Sequence, residues 1–171
     1  MAYATALELV IAFGADELAQ LTTPKRFDTV DSTRLELAIE TPTFPAGQID
    51  ELALEACLDA INGALAIADS LVDTYLGVRY TLPLASVPVS LRKRTLDLAR
   101  FELHDQGATE EVRNRRNDAI NWLEKISAGK ATLGDSAIDS GSTNTGIGIS
   151  GYGAQKFTNF KSAEAFIGYD V

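Results

Sequence analysis

His104 and Cys57 are the only histidine and the only cysteine in the 171-residue chain. A nucleophilic triad or a thiolate metal site would have to be built around one of them. A hydroxyl or thiol nucleophile needs a base at its side, and no Gly-x-Ser-x-Gly turn presents a serine. His104, between Leu103 and Asp105, reads as a structural or interface residue. One imidazole and one thiolate fall short of a zinc set, and no ligand spacing completes it. Cys57 has no partner for a disulfide and lies beside an apolar stripe. It reads as buried packing, in a reducing cytosolic setting. Glu110 and Glu111 are adjacent rather than facing, which suits the first turn of a helix. "GIGISGYG" at 146–153 has the glycines of a phosphate loop but not its lysine, and no helix follows to aim a dipole at a phosphate. The sequence therefore predicts no cofactor, no metal and no enzyme.

Charge says more than chemistry does. The chain carries a net charge of −9, unevenly spread. Residues 1–75 hold thirteen acidic and three basic side chains, residues 76–130 seven and ten, and residues 131–171 four and two. Such polarity suits a subunit whose acidic side meets a basic side on a neighbour, the alternative being solvated helix surface. Arg92, Lys93 and Arg94 form one basic run and residues 113–116, "RNRR", another. Either could touch nucleic acid, but the chain is acidic overall and no aromatic is interleaved with the arginines. Arg92, Lys93 and Arg94 are instead candidates for partner binding.

These residues must be positioned by helices. Hydrophobic residues make up 46% of the chain, enough for one domain with a core. There is no run of eighteen apolar residues to span a membrane, and the acidic N-terminal stretch does not read as a signal peptide. Thr5 with Glu8 forms a capping box. Leu54, Leu58, Ile61, Leu65, Ala68, Val72 and Tyr75 recur at alternating spacings of four and three, one stripe along a long helix. Gly63 inside it marks either a close helix crossing or simple tolerance. Leu91, Leu98 and Phe101 mark the inner face of a third helix. Val112, Ala119, Trp122, Leu123 and Ile126 mark that of a fourth. The predicted class is all-α, with four principal helices at about 5–21 (broken at Gly14), 50–76, 88–106 and 109–128.

Residues 1–130 form the predicted helical domain. Within it, residues 22–49 read as a loop or hairpin insert, because Leu35, Leu37 and Ile39 alternate as in a short strand. Val78, Tyr80, Leu82 and Leu84 alternate with Arg79, Thr81 and Pro83, and Pro88 opens the next helix. Arg79, Tyr80, Leu82, Pro83, Leu84 and Pro88 are therefore predicted as a structural turn that wedges the long helix against the third. Tyr80, Leu82 and Leu84 should be buried, with the Arg79 head group held by a carboxylate or by helix-end carbonyls. Residues 131–171 read as a flexible, glycine-rich arm ending in Lys156, Phe157, Phe160, Lys161, Phe166 and Tyr169. That end suits docking on a partner or folding back onto the domain.

"MAYAT" before a short helix, "DTYLGVRYTLPLASVP" after a long one, "ARFELHD", and "ATEEVRNRRNDAINWLEKISAGKATLG" follow one another in an order that resembles the small neck proteins of Mu-like phages and prophages. The resemblance covers residues 1–21 and about 50–134. It implies a head–tail connector, or adaptor, of the virion neck, assembled in the host cytoplasm. Its expected partners are the portal protein, a tail-side stopper and further copies of itself in a ring, dodecameric in the virion. DNA would pass through the channel without specific binding, and no membrane is involved. The 22–49 segment, longer than the loop expected there, and the glycine-rich arm depart from the pattern. The competing classes are a helical interaction module with an unknown partner and, far behind, a hydrolase.

Overall fold

The computed structural model of the chain describes residues 2–41, 49–104 and 107–133. Among these residues lie six helices and no strand: α1 (Ala6–Phe13), α2 (Ala15–Thr22), α3 (Ser32–Glu40), α4 (Ile49–Leu76), α5 (Val89–Leu103) and α6 (Glu110–Ser127). The capping box forms as the sequence predicts: the Thr5 hydroxyl accepts from the Glu8 N–H while the Glu8 carboxylate accepts from the Thr5 N–H. Gly14 separates α1 from α2 at φ 91°, a conformation that favours glycine. α4 spans 28 residues, about 42 Å at 1.5 Å per residue. Its stripe is the spine of the core. Leu54, Ile61, Leu65, Ala68 and Val72 are buried, and Leu58 and Tyr75 pack partly against them. Cys57 is fully buried, in line with packing rather than reactivity.

α5 and α6 lie against α4 and against each other, and α1, α2 and α3 form a second layer that touches both α4 and α5. Leu91 and Leu98 of α5 and Val112, Ala119, Leu123 and Ile126 of α6 are buried, whereas Phe101 and Trp122 are half-buried. Gly63 is a matter of tolerance: a Cβ placed there would meet nothing within 4 Å. The third helix ends at Leu103 rather than at 106, because His104 leaves helical geometry at φ −88°, ψ 81°. Residues 105 and 106 lie outside the described set.

The expected strand in the 22–49 segment needs correction. The predicted strand around Leu35, Leu37 and Ile39 is the helix α3, opened by Asp31, whose side chain accepts from the Arg34 N–H at 3.1 Å. Leu35 and Ala38, three positions apart, are the buried pair, and Leu37 is 62% exposed. The period of two was a coincidence of composition on a helical face. The alternating segment 78–84, predicted as a structural turn, is a series of turns and bends with a cis Leu82–Pro83 bond. The arm from 134 onward, with Lys156, Phe157, Phe160, Lys161, Phe166 and Tyr169, lies outside the described residues.

Candidate functional site

The turn after α4 does join the elements that the sequence assigned to it, with different contacts. Leu84 is buried, while Tyr80 and Leu82 are only half-buried. The Tyr80 hydroxyl accepts from the Leu133 N–H at 3.1 Å, so the turn pins the chain that leaves α6. Pro88 is the residue that caps α5, just before Val89. Among the described residues the Arg79 Nη1 is buried without a hydrogen-bond partner, and it stands 2.7 Å from where a Cβ on Gly129 would be. Gly129 has φ 75° and stands at the C-terminal end of α6. The guanidinium thus sits at the negative end of the α6 dipole, and the positive φ favours glycine at 129.

The buried ionisable side chains tie helix to helix. Tyr3, almost fully buried ahead of α1, donates its backbone N–H to Asp69 Oδ1 at 3.1 Å and its hydroxyl to the Asp73 carboxylate. Asp69 and Asp73 stand four residues apart on one side of α4, so a single residue clips the N-terminus to the spine. Burial, and then the bond to Asp73, push the Tyr3 phenol far above its ordinary value. Burial also raises the Asp69 carboxyl, against the lowering effect of the Tyr3 N–H.

α1 and α2 reach α5 through charge. Arg92 Nη1 lies 3.0 Å from Glu8 Oε1. Arg100 grips Glu17 with Nε at 2.7 Å and Nη2 at 2.9 Å, and its guanidinium stacks 4.6 Å from the Phe13 ring centre. His104 Nε2, 3.7 Å from Glu17 Oε1, is beyond hydrogen-bond reach and has no such partner. The acidic N-terminal half therefore already meets part of the basic helix inside one molecule. Of the candidate partner-binding residues on α5, Arg92 is engaged in this way, Lys93 is exposed and Arg94 is half-buried.

Between α5 and α6 lies Asp97, 4% exposed. Burial lifts its carboxyl above the ordinary aspartate value, opposed first by Arg115 and then by Arg94, Lys93 and Arg100. Arg115 Nη1 stands 3.8 Å from Asp97 Oδ1 and Nη2 2.7 Å from Glu111. Arg116 covers the Phe101 ring at 4.5 Å. Sequence reasoning missed Tyr3, Glu17, Asp69, Asp73, Asp97 and Arg100. The four-residue spacing of Asp69 and Asp73 and the lone acid in "TLDLA" were the signals available.

Among the described residues no three His, Cys, Asp or Glu side chains are placed to hold a metal, and no helix is long and apolar enough to cross a membrane. A model of the family described as "Bacteriophage Mu, Gp36" matches residues 3–149, bounds that take in the 22–49 segment. The chain is 39% identical over 79 residues to the Mu-like prophage FluMu protein gp36 of Haemophilus influenzae, covering 46% of this chain and 56% of that protein. It is 33% identical over 102 residues to gene product J of Escherichia phage Mu, covering 60% of this chain and 67% of that protein. The family match extends over most of the chain, through both helical layers, and the chain belongs to the bacteriophage Mu Gp36 family.

Proposed function

We propose that the protein is a head–tail connector subunit of a Mu-like phage or prophage. Copies of it form a ring between the portal and a tail-side stopper, extend the DNA channel, and catalyse nothing. Membership in a phage family supports the phage part of this reading. The observation that carries the rest is how the fold uses its ionisable groups. Tyr3, Asp69, Asp73, Glu17, Arg100 and Asp97 fasten helices to one another instead of converging on a common cleft. A reactive centre would bring such groups together around a space for substrate. A connector needs them to fix interhelical geometry under load.

The acidic balance agrees with a conduit. Carboxylates repel the phosphate backbone, so a channel of net negative character lets duplex DNA slide without sticking. The test is genetic. In a phage or prophage that encodes this chain, deleting its coding sequence should leave DNA-filled heads and finished tails unjoined. Infectious particles produced at the normal yield would overturn the reading.

A further inference from the structure

We infer that the ring contact is heterologous: the outward face of α4 on one copy receives the α1–α5 edge of the next. This rests on the connector reading and names the surfaces it would use. α4 turns its core stripe inward and leaves the opposite side open. Ala60, Gly63, Ile67, Ser70 and Thr74, at spacings of three and four, are all exposed there. Ile67 is 54% exposed and lies in a shallow groove with Ala66, Ser70, Leu71 and Thr74. Toward the N-terminal end of the same helix stand the exposed carboxylates Glu55 and Asp59. This is a face of small residues around Ile67, with an acidic end.

Its counterpart is the edge formed by α1 and α5. The Glu8–Arg92 bridge brings one side of α1 against one side of α5. Ile11, three residues after Glu8, and Val89, three before Arg92, share those sides and are the most exposed large hydrophobic residues described, at 75% and 79%. Exposed Lys93 lies one turn after Val89. The edge is thus two projecting aliphatic side chains beside a cation. The α4 face offers small residues, which leave room for such side chains, beside two anions. Charge is complementary between the two faces, with exposed Glu55 and Asp59 on one and exposed Lys93 on the other.

A contact between two different patches generates a ring when its rotation closes, unlike a contact between identical patches, which stops at a dimer. The second copy of this chain is therefore the occupant that the paired faces fit.

Charge exchange tests it in the full chain. Asp59→Lys and Lys93→Glu are each made singly and then together, and ring formation on the cognate portal is scored by sedimentation and imaging. Each side chain is exposed, so the subunit should keep its helical content. Each single variant should lose at least tenfold in ring occupancy, and the pair should recover most of it. Ile67→Asp and Val89→Asp should each abolish the ring without changing the subunit's helical content. Single charge variants that assemble like the wild type, or a pair that recovers nothing, would overturn this contact and leave the connector reading standing. A ring of unchanged subunit number that detaches from portal would assign the faces to portal and overturn the inference. Wild-type chain that never forms a ring would remove the connector reading and this contact with it.

Discussion

Between α4, α5 and α6 the buried side chains are aliphatic almost throughout, with Ile61, Leu65 and Val72 facing a core shared with Leu91, Leu98, Leu123 and Ile126. Where α1 and α2 meet α5, the same helix is approached by Glu8, Glu17, Phe13 and their arginines. The first seam is held by area removed from water, which is strong and non-directional. The second adds paired charges at the edge of the core, which contribute less but fix direction. The outer layer also buries Leu9, Leu18 and Leu35 in the shared core, so its charge pairs add orientation to helices that burial already stabilises. Such an arrangement would serve the proposed ring subunit, which has to present particular faces to its neighbours.

The comparison breaks first in the bundle. Leu98→Ala should cost about 2–5 kcal/mol, read as a fall in denaturant midpoint. A loss under 1 kcal/mol would show that the aliphatic seam is not the main support. Arg100→Ala should cost less, about 1–2 kcal/mol, because the Glu17 carboxylate is partly exposed and can rehydrate. Hydrogen exchange should then quicken in α1 and α2 but not in α6. Equal quickening in both would erase the distinction between the layers.

Tyr3→Phe removes one hydrogen bond and should cost about 1 kcal/mol. It should also change the alkaline limit. The folded state holds the phenol proton more firmly than the unfolded state does. The Tyr3 contribution is therefore complete below the ordinary tyrosine value and is lost as pH rises through the raised one. Melting curves of the variant should lack that part of the alkaline decline. Asp97→Asn gives the smallest effect. Burial raises this carboxyl, so its contribution is most favourable below the ordinary aspartate value and declines as pH rises through the raised one. The melting temperature of the variant should gain on that of the wild type from acid toward neutral pH; a constant difference would mean that Asp97 does not feel its burial.

The bundle was the legible part. A stripe kept over seven positions from Leu54 to Tyr75 has no other reading than a helix, and Thr5 with Glu8 and Thr109 announce helix starts through local chemistry alone. α3 was misread because Leu35, Leu37 and Ile39 satisfy a period of two, while the helix depends on Ala38, which carries little hydrophobic weight in a sequence. Asp31 was the better signal, as a side chain that caps. The candidate surface was half legible. Arg92, Lys93 and Arg94 are adjacent in sequence, but helical geometry sends one to Glu8 and leaves another in solvent. The Arg100–Glu17 grip joins residues 83 apart, and no local pattern reports such a pairing.

The most direct measurement is an image of the full chain bound to the portal of its own phage, averaged along the channel axis. The account predicts a closed ring of this subunit, coaxial with portal on the tail side and open at its centre for DNA. Density for the chain elsewhere on the particle, or a portal that carries no ring of it, would contradict the account.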